Sequence, residues 1–82
     1  MSSSARRLTP IPYLTLVRLF ELEGFRIVRQ RGDHIIMTKP GVNRPVVIKS
    51  SPRMVAVTHI RTNMRTAGMS RERYFQLLER VR

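Results

Sequence analysis

The feature that most constrains this chain is a pair of tight turns in its middle. Gly32-Asp33 and Pro40-Gly41-Val42-Asn43 punctuate an otherwise strand-like stretch from Phe25 to Lys49. Gly, Pro, Asn and Asp supply the backbone geometry a reversal needs, and the runs between these turns are rich in β-branched residues. Phe25 to Arg31 reads as one strand, centred on Ile27 and Val28. His34 to Lys39 is a second, carrying Ile35, Ile36 and Met37. Arg44 to Ile48 or Lys49 is a third, carrying Val46, Val47 and Ile48. Two short connections between neighbouring strands predict an antiparallel meander. Pro45 at the start of the third strand predicts an edge position, because proline has no N–H to give to a ladder.

Helical periodicity flanks the meander on both sides. Thr9-Pro10 reads as a helix start, a hydroxyl cap followed by a proline whose missing N–H costs nothing there, and Pro12 is tolerable if the helix begins at it instead. Tyr13, Leu16, Val17 and Phe20 then recur at i, i+3, i+4 and i+7, with Leu14, Leu19 and Leu22 widening the stripe, and Gly24 ends the helix as a left-handed cap. Ser50 to Arg53 is a loop. Thr58 is expected to cap a helix over 59–67, with Ile60, Met64 and Ala67 inward and Arg61 and Arg65 one turn apart on another face. Gly68 ends it. Ser70 caps a last helix to about Arg80, with Glu72 near its positive end and Tyr74, Leu77, Leu78 and Val81 on one stripe.

The order α-β-β-β-α-α predicts an α+β, two-layer sandwich: a three-stranded antiparallel sheet with helices on one face. Ile35 and Met37 point opposite to Ile36, so the uncovered face keeps some apolar surface. No internal repeat is visible. Residues 1–8, rich in Ser and Arg, read as a flexible basic tail, and residues 9–82 as a single domain.

Composition narrows the function. A chain of 82 residues buries roughly 60% of its unfolded surface, enough for one modest core. Without Cys there is no disulfide, thiolate site or Cys nucleophile; two His and five scattered acids predict no metal site. No cofactor is expected. No run of 18 apolar residues exists, and no hydrophobic leader follows the N-terminus, so a cytoplasmic protein is expected. The charge is +11, and fourteen of the sixteen basic residues are arginine. Arginine's planar fork matches phosphate geometry and stacks on bases, so a nucleic-acid partner is expected.

His34 is the residue on which activity turns. An imidazole exchanges a proton near neutral pH. Metal-free RNA cleavage needs a base to deprotonate the 2′-hydroxyl and an acid to protonate the leaving 5′-oxygen. The structural alternative is a strand-start His bonded to a turn carbonyl. Asp33, next to Gly32 in the turn, either orients that imidazole or closes the turn with an Asx-type bond. Lys49 is either a cation that stabilises charge on the reacting phosphate or an ordinary strand-end lysine. Arg29 and Arg31 on a strand, and Arg61 and Arg65 on a helix, are candidates for backbone phosphates. His59, in the first turn of its helix, reads as a surface or capping residue. Tyr13, Phe20, Phe25 and Tyr74 fall on apolar stripes and read as core.

In order and spacing, Gly24-Phe25, Gly32-Asp33-His34 and Ala67-Gly68-Met69-Ser70 resemble the HicA toxins, small mRNA interferases of bacterial and archaeal toxin–antitoxin systems. The resemblance runs from Leu14 to Phe75. It implies a double-stranded-RNA-binding-like fold, endoribonuclease activity through the histidine of the Gly-Ser/Asp-His turn, here His34, and neutralisation by a HicB-like antitoxin. Two segments depart from the family's pattern. Many members carry Val-Pro-x-His on the third strand, where this chain has Val47-Ile48-Lys49. Many also have a Gly- and Lys-rich segment leading into Gly-Thr before the second helix, where this chain reads Arg53 to Thr58. The rival readings on the same fold are a non-catalytic RNA-binding module and a ribosome-associated basic protein. A helix-turn-helix is disfavoured because strands occupy the middle of the chain.

Overall fold

A computed structural model describes residues 6–82. Its elements are β1 (Ile11–Pro12), α1 (Tyr13–Leu22), β2 (Arg26–Arg31), β3 (His34–Thr38), β4 (Val46–Lys49), β5 (Met54–Val55), α2 (Val57–Ala67) and α3 (Arg71–Val81). The expected α+β architecture is present. β2, β3 and β4 form a three-stranded antiparallel sheet with β3 in the centre, so the strand that follows Pro45 is indeed an edge.

Alternation along β3 and β4 decides where the core lies. Ile35, Met37, Val46 and Ile48 face inward and are buried, beneath Leu16, Leu19, Phe20, Ile60, Tyr74 and Leu77 from the helices. Each such apolar side chain contributes about 1.5–3 kcal/mol on burial. Phe20 and Phe25 meet edge to face at 5.3 Å, and the Phe25 amide donates to the Phe20 carbonyl, so the chain leaves α1 and enters β2 through one packed corner. An ion pair from Arg73 Nε to Glu23 Oε1, 2.9 Å, ties α3 to the end of α1.

The first helix begins later than expected. Thr9-Pro10 is not its start; Ile11–Pro12 is extended and pairs with Met54–Val55 as a second, two-stranded sheet. A residue preceding proline is pushed out of the helical region, and Ile11 precedes Pro12, which itself is extended at ψ 143°. The Tyr13 amide then donates to the Arg53 carbonyl at 2.8 Å instead of to a side-chain cap. Leu14 and Leu22 do not widen the buried stripe. Both are exposed, because they lie on the side of α1 opposite Leu16 and Phe20.

The second helix starts at Val57, two residues earlier than expected, with Ala56 as its N-cap and no side-chain cap from Thr58. Its end at Gly68 has the left-handed geometry expected, φ +67°, which L side chains rarely adopt. Ser70 caps α3 as its sequence position implied, its hydroxyl accepting from the Arg73 amide at 3.0 Å. Of the segment read as a mobile tail, residues 1–5 lie outside the described residues. Leu8 is buried in the core, and Arg6 lies 4.5 Å over the Phe75 ring and pairs with Glu79.

β2 differs from its neighbours. All six of its residues are exposed, on both faces, because the helical layer covers β3 and β4 and stops short of it. No described helix is long and apolar enough to cross a membrane.

Candidate active site

The Gly32-Asp33 turn joins β2 to β3 and delivers His34 as the first residue of the central strand. Gly32 sits at φ +58°, and a Cβ there would meet nothing within 4 Å, so it is backbone conformation and not space that asks for glycine. The Asp33 carbonyl accepts from the Ser50 amide at 2.8 Å and from the Ser50 hydroxyl at 3.4 Å. These contacts clamp the turn to the end of β4.

The strand register sets Arg31 and Lys49 on either side of His34. Directly opposed residues of antiparallel strands have Cβ atoms roughly 4.5–5.5 Å apart and project to the same face. A row Arg31–His34–Lys49 therefore crosses the outer face at its turn end. All three side chains are exposed. Ile36 and Val47 form the next row, on an apolar floor.

The Asp33 carboxylate lies against the histidine, its Oδ1 3.0 Å from Nδ1 of His34. A negative oxygen beside Nδ1 favours a proton on that nitrogen, leaving the lone pair of the neutral ring on Nε2. The Asp33 carboxylate thus sits beside the ring, while its main chain holds the turn to the end of β4.

Arginines gather on this face through an irregularity. The β2–β3 register shifts between Ile27 and Arg29, so Val28 is an extra residue in β2. Arg26 then opposes Thr38, Arg29 opposes Ile36 and Arg31 opposes His34, all on the outer side. Strict alternation would have sent Arg26 to the face opposite Arg29.

A groove of about 200 Å³ opens beside His34, lined by His34, Val47, Lys49, His59, Thr62 and Asn63. Its far wall is α2. Ile60 and Met64 point that helix's buried side at the core, and this rotation turns His59, Thr62 and Asn63 toward β4. Asn63 is 5% exposed, and its amide nitrogen has no hydrogen-bond partner. His59, read from the sequence as a surface or capping residue, shares the groove with His34. The available signal was the i, i+3, i+4 spacing of His59, Thr62 and Asn63 on one helical face.

The helical arginines lie elsewhere. Arg65 lines a separate groove of about 560 Å³ with Gly41 to Arg44; Thr62 borders both grooves. Arg61 lines neither. Arg29, Arg31, Lys49, Arg61 and Arg65 make no ion pair with any described residue, so their charge is open to an outside anion. Among the described residues no three His, Cys, Asp or Glu side chains cluster to hold a metal ion.

The fold and this face define a class: a small, strongly basic α+β protein with a solvent-open histidine on a cationic sheet surface. A family comparison specifies it further. The model described as the HicA toxin of bacterial toxin-antitoxin matches residues 15–69, and the chain belongs to that family. The matched span includes the turn, His34, Lys49 and all of α2. No significant match is found among curated proteins or among solved structures.

Proposed function

We propose that this toxin-family protein is a metal-independent endoribonuclease that cleaves single-stranded mRNA. The observation that carries this reading is the row Arg31–His34–Lys49 with the Asp33 carboxylate at Nδ1 of His34. An imidazole with a free Nε2 takes the proton of a ribose 2′-hydroxyl, which then attacks the adjacent phosphorus. Lys49, opposite His34, offsets the charge that grows on the non-bridging oxygens. Arg29 and Arg31 hold flanking phosphates on the same face, and Arg65 holds a more distant one along α2. Arg61, outside both grooves, is left with a long-range electrostatic contribution.

The partner that silences it is proposed to be a HicB-like antitoxin that covers the His34 face and offsets its charge. Membership in a toxin–antitoxin family supports an antitoxin partner, and the unpaired cations support an acidic one.

The test is cleavage of single-stranded RNA in EDTA by wild type and by His34→Ala, with product ends identified. Wild type is expected to leave 2′,3′-cyclic phosphate and 5′-hydroxyl ends, and His34→Ala to be slower by about 10²–10⁴-fold, the usual worth of a positioned base. RNA binding by both proteins with cleavage by neither would replace this reading with a non-catalytic RNA-binding module.

A further inference from the structure

We infer that His59 is a second catalytic residue, the general acid that protonates the leaving 5′-oxygen. This inference rests on the ribonuclease reading above. The reaction moves two protons, and His34 at the start of β3 accounts for one. The groove at His34 holds two other groups that give up protons, Lys49 and His59. An imidazole ordinarily titrates near about 6.5 and an alkylammonium near about 10.4. A proton donor works best when its own titration lies close to the working pH, so of the two the imidazole is the suited acid and the ammonium the suited fixed charge.

The surroundings divide the roles further. The Asp33 carboxylate beside Nδ1 of His34 leaves Nε2 of that ring as the acceptor. His59 has no carboxylate in its groove: its neighbours there are Lys49, Thr62 and Asn63. α2 carries no acid in its first turn either. His59 is exposed, as is His34, and both line the same groove, so both rings are open to solvent there. Asn63 lines the same groove as a nearly buried amide whose nitrogen has no hydrogen-bond partner.

The step balances without another reactant. Nε2 of His34 takes the 2′-hydroxyl proton as the bond from the 2′-oxygen to phosphorus forms. The bond from phosphorus to the 5′-oxygen breaks, and its electron pair stays on that oxygen. His59, entering as imidazolium, supplies the proton that makes it a hydroxyl.

The test uses two RNA oligonucleotides that differ in one atom, the bridging 5′-oxygen or a sulfur in its place. A thiolate leaves without a proton, so the sulfur substrate does not need a general acid. On the oxygen substrate His59→Ala is expected to lose about 10²-fold or more. On the sulfur substrate it should recover most of that loss, whereas His34→Ala should remain slow on both. Equal rates for His59→Ala and wild type on the oxygen substrate overturn the inference. So does an equal loss on both substrates, which marks a structural or binding role, and so does recovery confined to Lys49→Ala. Failure of wild type to cleave either substrate removes the ribonuclease reading itself, and the inference with it.

Discussion

The two faces of the β2–β3–β4 sheet are built from alternate residues of the same strands, yet they answer to different physics. Inward, Ile35, Met37, Val46 and Ile48 are held by packing, where each methylene is felt. Outward, on the same backbone, His34, Lys49 and Val47 are exposed and Ile36 is half-buried. The outer face inherits its geometry from the inner one: the core fixes the register, and the register sets Arg31, His34 and Lys49 in one row. Because the outer side chains contribute little to stability, they are free to carry charge and chemistry.

The largest test of that division is Met37→Ala, which opens a cavity at a fully buried site. It should cost about 2–5 kcal/mol in denaturant unfolding. Val47→Ala, one residue along the neighbouring strand's register and facing out, should cost under about 1 kcal/mol. Equal losses would mean the outer face is structural, and the comparison would break.

Lys49→Ala should reverse the pattern. Its unfolding free energy should stay within about 0.5 kcal/mol of wild type. Cleavage should slow by about tenfold, or about 1.4 kcal/mol in the barrier. The slope of log affinity for single-stranded RNA against log salt should become shallower by about 0.7, one phosphate contact fewer. An unchanged salt slope would take Lys49 off the RNA path.

The smallest effect sharpens the inner side, at Tyr74. The Tyr74 hydroxyl is buried without a hydrogen-bond partner, and burial pushes its pKa up to about 12, with Arg82 pulling weakly the other way. Tyr74→Phe removes an unpaired polar group and should stabilise the fold by about 1 kcal/mol. The sign of the pH effect follows from the raised value. The folded state favours the neutral phenol, so this contribution is complete below the unfolded value near 10 and is lost as pH rises through about 12. Thermal unfolding across pH 9–12 should show that alkaline decline in wild type, and Tyr74→Phe should lack this component of it.

Much of this was legible in the sequence, because the deciding interactions are local. The Gly32-Asp33 turn, the period-two runs around Ile35 and Val46, the Ser70 cap and the Gly68 stop each depend on a few neighbouring residues. They announced the three-stranded meander, its helices and a histidine at a strand start. The start of α1 is ambiguous in the sequence because two prolines compete: Thr9-Pro10 has the form of a cap, but Pro12 holds Ile11 extended, and a partner more than forty residues away, Val55, completes the pairing that leaves the helix to begin after Pro12.

The sequence by itself determined where the chain turns, which residues carry charge and which could exchange a proton, since charge and turn chemistry are properties of short segments. Tertiary structure decided which of them meet. Alternation alone puts Arg26 and Arg29 on opposite faces; one inserted residue at Val28 brings them together. Helical period alone places His59 on a polar face; the rotation of α2, set by Ile60 and Met64 in the core, turns that face toward His34. The separation from residue 34 to 59 is bridged by the pairing of β3 with β4 and the packing of α2 beside it, and no local signal in either segment encodes that meeting.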